Sequence, residues 1–252
     1  MLSLIGMGLW TIGDLPLRAA WELRKCDEVY AEQYTSAMQA GLLSQLQGKI
    51  GKSRIRVLSR AEVEKGEVLL KAAEKKRVAL LIPGDPLIAT THISLLLEAK
   101  KRGIKTQIIH ASSIFTAAIG EAGLQVYKFG RTVTLAKWQP AYEPMSAYDY
   151  LGENLARKLH TLLLIDIDEG RPLSQAEIFD LLAKMEKRGG KGIFAPKREL
   201  VVLSAVGSAN QRVSYGPIEK LEKAKLGKPP FTIIVPGELH FMEKEALEAF
   251  SN

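Results

Sequence analysis

Short apolar runs alternate with amphipathic stretches through the first half of the chain. Leu2 to Ile5 reads as a strand, and helical spacing follows over Pro16 to Lys25. Glu28 to Ala31 and Ile55 to Leu58 read as two further strands. Val78 to Ile82 is apolar at every position, as expected of a strand covered on both faces. The pattern then predicts a helix from about Leu87 to Arg102, with Asp85 as N-cap, Pro86 at its first position and Gly103 just past its end. Thr106 to Ile109 completes the set as a fifth strand. Alternation of this kind predicts a parallel or mostly parallel sheet with helices on both faces.

The second half changes character. Strands are expected at Val133–Ala136, Thr161–Asp166, Leu200–Val206, Gln211–Tyr215 and Phe231–Val235, with helices only near 148–159, 174–187 and 241–250. Gly207-Ser208-Ala209-Asn210 has the composition of a hairpin turn, which implies antiparallel pairing. The expected fold class is therefore α/β. Residues 1–111 form a domain with a mostly parallel sheet, and residues 112–252 a mixed α+β domain.

Composition narrows the function classes. The chain has 252 residues and is 46% hydrophobic, enough for a full core. No apolar run has the length needed to span a bilayer, and the start Met-Leu-Ser-Leu-Ile-Gly lacks a basic leader, so a cytoplasmic location and no membrane contact are expected. Cys26 is the single cysteine, and His92, His110, His160 and His240 are too scattered for a local metal motif, so no metal is expected. The net charge of +7 would suit an acidic partner. Yet the basic runs Lys75-Lys76-Arg77 and Lys100-Lys101-Arg102 fall at predicted helix ends, where cations complement the dipole. No nucleic-acid motif accompanies them, so direct nucleic-acid binding is not expected.

Three loops follow strands of the first half, where ligands of open α/β sheets gather. Gly6-Met7-Gly8-Leu9 lets a ligand approach the backbone, but Thr11 stands where a dinucleotide fingerprint needs its third glycine. A tight turn without a ligand explains it equally well. Pro83-Gly84-Asp85-Pro86 reads as a helix start, as a ligand loop, or as both, and His92 beyond it could be structural or catalytic. His110-Ala111-Ser112-Ser113 is either an ordinary N-cap or a set of hydroxyls and amides for a nucleoside or carboxylate. Pro-Gly-acid recurs at Pro236-Gly237-Glu238, but the flanks do not match, so the echo is one of loop chemistry and not of duplication.

Taken together, Leu4 to Leu9, Ala31 to Ser36, Val57 to Arg60, Pro83 to His92, His110 to Phe115 and Val126 to Gly130 resemble the diphthine synthases, a branch of the tetrapyrrole-methylase-like methyltransferases. The likeness is sharpest in Pro-Gly-Asp-Pro-Leu-Ile-Ala-Thr-Thr-His. It continues through His160 to Leu163, Leu200 to Gly207 and Pro229 to Gly237. The resemblance implies S-adenosyl-L-methionine as cofactor, held in a cleft between two α/β domains, and usually a homodimer. It implies a protein substrate, translation elongation factor 2, whose modified histidine carries an aminocarboxypropyl arm that is methylated on nitrogen. Carried over by position, the cofactor contacts are Leu9, Asp85, Ile88, Ser113, Ile114, Ile165, Val206 and Phe231. Relatives are expected to carry a histidine at the place of Phe231 and Pro-Ser at the place of Ser112-Ser113, and Trp138 to Tyr150 has no counterpart in the resemblance.

Methyl transfer from a sulfonium needs no acid for the leaving group, and an α-amino group titrating near ~8 has a useful neutral fraction. No single indispensable catalytic residue is expected. Tyr34, Glu32 and Phe115 are candidates to surround the growing ammonium, because aromatic faces and carboxylates favour such cations. The rival readings are methylation of a tetrapyrrole precursor, a non-catalytic nucleotide- or RNA-binding protein with a steep salt dependence, and, third, a nicotinamide-dependent dehydrogenase.

Overall fold

The computed structural model describes residues 1–36, 38–51, 55–168 and 170–250. The chain divides into two compact units, Met1–Ile114 and Phe115–Asn252.

The first unit runs β1 (Leu2–Gly6), α1 (Leu17–Lys25), β2 (Glu28–Ala31), α2 (Leu42–Ile50), β3 (Arg56–Val57), α3 (Arg60–Lys65), α4 (Glu67–Ala73), β4 (Val78–Ile82), α5 (Ile93–Lys101) and β5 (Thr106–Ile109). Its five strands pair in parallel in the order β3-β2-β4-β1-β5. Alternation along β4 explains why the run is apolar throughout. Val78, Leu80 and Ile82 pack with Leu69, Leu70 and Leu95 on one face. Ala79 and Leu81 pack with Ala19, Leu23 and Leu46 on the other. Both faces are covered by helices, so neither side of the strand can be polar.

Apart from the strand at Ile55 to Leu58, the apolar pattern left residues 42–73 without elements. They hold three short helices, and Gly66, at φ +68, ends one and starts the next. Ser59 and Glu62 form a capping box at the start of α3.

The helix expected from Leu87 begins later, at Ile93. Ala89 takes a left-handed φ of +56, which no continuous right-handed helix contains. Residues 86–92 therefore form a compact loop, in which the Thr90 hydroxyl donates to the Pro86 carbonyl at 2.9 Å. Asp85 caps this loop and not a helix, accepting from the Leu87 amide at 3.0 Å.

The second unit runs α6 (Ile114–Glu121), β6 (Val133–Leu135), α7 (Ser146–Ala156), β7 (Thr161–Ile165), β8 (Ile167–Asp168), β9 (Arg171–Pro172), α8 (Gln175–Gly189), β10 (Glu199–Ser204), β11 (Arg212–Pro217), α9 (Ile218–Leu221), β12 (Phe231–Val235) and α10 (Phe241–Phe250). Its main sheet has the order β11-β10-β12-β7-β6. Only β6 and β7 are parallel; β10 and β11 form the hairpin that the Gly207–Asn210 segment predicted. The short hairpin β8–β9 and helices α6 and α9 go beyond the three helices and five strands expected there. The core gathers Tyr148, Leu151, Leu182, Met185, Leu163 and Ile233 between α7, α8 and the sheet.

Several members of the basic runs pair with carboxylates. Lys76 meets Glu28 at 2.5 Å, Arg77 meets Glu22 at 2.6 Å, and Arg102 meets Glu67 at 2.5 Å and Glu98 at 3.1 Å. Among the described residues, no helix is long and apolar enough to cross a membrane, and no group of three or more metal-ligating side chains occurs.

Candidate functional site

β1 and β4 are neighbours in the first sheet, yet their outgoing connections diverge. The chain leaving β1 passes to β2 beyond β4, whereas the chain leaving β4 crosses to β5 on the far side of β1. Such a reversal opens a crevice at the carboxyl ends of the strands, the usual ligand position in this architecture. Three loops meet there, after β1, β4 and β5.

They touch closely enough to require glycine. A Cβ on Gly6 would lie 2.6 Å from the Gly84 carbonyl oxygen, 2.8 Å from the Ala111 Cβ and 3.0 Å from the Pro86 Cδ. Gly8 and Gly84 exchange backbone hydrogen bonds of 3.3 and 2.8 Å. Gly84 differs from Gly6: its φ is +67, but a Cβ there would meet nothing within 4 Å. Gly84 is thus required by backbone conformation, and the space beside it is open. Leu9 starts the turn that follows, where the Trp10 and Thr11 amides donate to the Asp14 carboxylate at 3.0 and 2.6 Å.

Asp85 is buried, and its carboxylate joins two of the loops. Oδ1 accepts from the Leu87 amide, while Oδ2 accepts from His110 Nδ1 at 2.8 Å and the Ala111 amide at 3.3 Å. The side chain is committed to the protein, so a ligand beside it would meet the loop's backbone. Ile88 is exposed at the tip of the same loop. Ser113 and Ile114 follow the loop after β5, at the start of α6. The first sheet therefore brings Leu9, Asp85, Ile88, Ser113 and Ile114 to one edge.

Ile165, Val206 and Phe231 also share an edge, in the second unit. Antiparallel register sets Thr232 opposite Leu164 and Phe231 opposite Ser204, which puts the end of β7 and the start of β12 side by side. The Ala205 amide donates to the Pro230 carbonyl at 2.9 Å, so Val206 leaves β10 beside them. Ala205 has φ +45, a left-handed outlier for a residue with a Cβ.

Two polar links were not legible in the sequence. One is Asp85 with His110. The other joins Tyr34 to His92, with the hydroxyl 3.4 Å from Nε2, while Nδ1 lies 3.2 Å from the Pro86 carbonyl. Burial lowers the pKa of His92 and raises that of Tyr34. Beside them Glu32 is fully buried, with Oε2 accepting from the Tyr34 and Thr35 amides at 2.9 and 3.1 Å. Phe115 opens the second unit.

Comparison with known proteins gives this edge a chemical class. Residues 1–222 match the family model of the tetrapyrrole (corrin/porphyrin) methylases. The chain is 40% identical over 249 residues to a diphthine synthase of Methanothermobacter thermautotrophicus, covering 98% of this chain and 94% of that one. It is 40% identical over 253 residues to a diphthine synthase of Methanocaldococcus jannaschii, covering 98% of each. A crystal structure of diphthine synthase superposes with a TM-score of 0.90 at 32% identity, covering 99% of this chain and 95% of that one. With its fold and nearly its whole length shared in this way, the chain belongs to the tetrapyrrole (corrin/porphyrin) methylase family and, within it, to the diphthine synthases.

Proposed function

We propose that the chain transfers methyl groups from S-adenosyl-L-methionine to the amino nitrogen of an aminocarboxypropyl arm on a histidine of translation elongation factor 2, the diphthine-forming step of diphthamide biosynthesis. The observation that carries this reading is the junction of the loops after β1, β4 and β5 at the switch point, in a chain of this family. The open space beside Gly84 fits a cofactor lying against the backbone, with no side chain in the way. When bound, the cofactor supplies a methyl group on a sulfonium whose sulfur departs as a neutral thioether.

The chain's own residues hold and orient. Leu9, Asp85, Ile88, Ser113, Ile114, Ile165, Val206 and Phe231 are the proposed contacts, several of them apolar, so backbone groups and shape do most of the holding. Asp85 acts by keeping the loops after β4 and β5 together. Alignment of two reactants is worth roughly 7–11 kcal/mol in well-ordered systems. An amine titrating near ~8 reaches its neutral form without a dedicated base. The same reading puts the protein in the cytoplasm as a homodimer, in line with the resemblance. Methylation of a tetrapyrrole precursor would use the same scaffold, but the likeness to diphthine synthases favours the protein acceptor.

Calorimetric titration with S-adenosylhomocysteine, with NAD and ATP as controls, tests the site. Selective binding of the homocysteine compound is expected, weakened about tenfold or more in Asp85→Ala, which loses all three hydrogen bonds of the carboxylate. Binding of NAD or nucleic acid in its place would remove the methyltransferase reading. Elongation factor 2 carrying the aminocarboxypropyl-histidine is then the acceptor to assay.

A further inference from the structure

Glu32 ends the strand run of β2, and its amide donates to the Leu81 carbonyl at 3.1 Å, which places it one strand spacing from the loop after β4. It is fully buried, yet Oε1 has no hydrogen-bond partner. Among the described residues no other fully buried carboxylate oxygen is left so. A buried carboxylate with half its capacity unused carries a desolvation cost that a structural role alone would have removed. Burial raises its pKa; the Thr35 side chain, the Thr35 and Tyr34 amides and, least, the charge of Arg60 work against that rise.

The side chains near Glu32 suit a cation. The Tyr34 ring is part-exposed, and the Arg60 guanidinium already stands 5.4 Å from its centroid. His92 fixes the ring. Its Nδ1 faces the Pro86 carbonyl, which can only accept, so Nδ1 carries the hydrogen and Nε2 accepts from the Tyr34 hydroxyl. The loop after β2 is thereby held to the loop after β4, the same loop that bears Gly84 and Asp85.

We propose that the Tyr34 ring, backed by the Glu32 carboxylate, is the subsite for the acceptor nitrogen as methylation makes it positively charged, with His92 as the positioning residue and Arg60 as the cation that takes its place in the free protein. The inference rests on the methyl transfer proposed above. Each transfer forms an N–C bond from the nitrogen lone pair and breaks the S–C bond, whose electron pair stays on sulfur. The nitrogen gains one positive charge every time. While an N–H remains, that charge leaves as a proton to solvent; once three methyls are in place it is permanent. A quaternary ammonium donates no hydrogen bond, so an aromatic face and a nearby negative charge are what can recognise it.

The test uses the full chain loaded with S-adenosylhomocysteine and two forms of elongation factor 2. One carries the trimethylated arm, the other the same arm N-acetylated, so that its nitrogen is uncharged while the carboxylate is kept in both. The wild type is expected to bind the cationic form about tenfold more tightly. Glu32→Gln and Tyr34→Leu should erase that preference and leave homocysteine-compound affinity unchanged. Tyr34→Phe should keep most of it, and Arg60→Ala should strengthen cation binding, an effect no purely structural role would produce. Wild-type discrimination retained in Glu32→Gln and Tyr34→Leu overturns the subsite, as does weaker cation binding in Arg60→Ala. If Glu32→Gln does not fold, Tyr34→Leu and Arg60→Ala decide. If the wild type binds neither form while still binding the homocysteine compound, the acceptor assignment has failed. Tetramethylammonium alone then decides the subsite: its binding must fall in Tyr34→Leu, and equal binding overturns it.

Discussion

Two buried glutamates, one in each unit, show how differently the same side chain is used. Glu243 is 1% exposed and fully engaged. Its Oε1 accepts from the Gln125 amide at 3.0 Å and His160 Nε2 at 3.1 Å, and its Oε2 from the His240 amide at 2.8 Å and the Lys128 ammonium. His160 in turn accepts from the Gly237 amide at 2.9 Å. The network ties the start of α10 to the segments before β6 and β7 and leaves no capacity for a ligand. Glu32 is as deeply buried, but it serves two amides of its own loop through one oxygen and keeps the other unpaired. Satisfaction marks Glu243 as an anchor; the unused buried acceptor of Glu32 is what the proposed subsite would use.

Stability measurements sharpen that contrast. The largest effect is expected for Glu243→Ala, which strands the buried His160 and takes the carboxylate from the half-buried Lys128, and should cost about 3 kcal/mol. The urea midpoint at neutral pH reads it directly. Glu32→Gln keeps both amide bonds and removes a buried charge, so its change should stay within about 1 kcal/mol. Equal losses in the two variants would break the distinction between anchor and site.

A second comparison sets Gly6 against Gly84 in the loop junction. An alanine at Gly6 drives its Cβ into the Gly84 carbonyl and Ala111, and overpacking of that kind costs about 1–3 kcal/mol. At Gly84 only the left-handed backbone resists, for about 1–2 kcal/mol. Thermal unfolding should rank Gly6→Ala as the more damaged, and homocysteine-compound titration should show the same order.

The smallest effect is a pH dependence of opposite sign in the two glutamates. Burial lowers the pKa of His160 and His92. Below about 6.5 the unfolded chain binds protons that these folded histidines refuse, so stability falls as pH drops through that value. Glu243 adds to the loss further down. Burial pushes its pKa up, but Lys128, the His240 and Gln125 amides and His160 outweigh burial and hold it at about 2. Its contribution is present above the unfolded carboxylate value near ~4.3 and disappears as pH falls towards about 2. Glu32, raised by burial, acts in reverse: acidification towards its unfolded value relieves the buried charge. Urea midpoints between pH 7 and 4 should therefore fall less steeply in the wild type than in Glu32→Gln.

Much of this was open to reading in the residues. Val78–Ile82 announced a strand covered on both faces because every one of its positions is apolar, and β1, β2, β5, β7 and β12 were equally plain. The glycine loops after β1 and β4 could be picked out because close backbone approach demands Gly at Gly6 and positive φ demands it at Gly84. The start of α5 could not. Asp85-Pro86 has the composition of a helix start, but Ala89 turns left-handed within a loop that packs His92 onto Pro86 and Tyr34. That contact spans 58 residues of sequence between Tyr34 and His92.

Local periodicity and turn chemistry act over a few residues, and they were enough to determine the class of fold, the succession of its main strands along the chain and the glycine loops proposed to meet a cofactor. Which groups in those loops face each other depended on parallel and antiparallel register between distant strands. The strand order β3-β2-β4-β1-β5 set the loops after β1, β4 and β5 together. The pairing of β12 with β7 and β10 gathered Ile165, Phe231 and Val206. The tertiary structure alone decided that Asp85 would be used up by His110 and Ala111 while Glu32 kept a free oxygen, because hydrogen-bond satisfaction is a property of the three-dimensional neighbourhood and leaves no periodic trace along the chain.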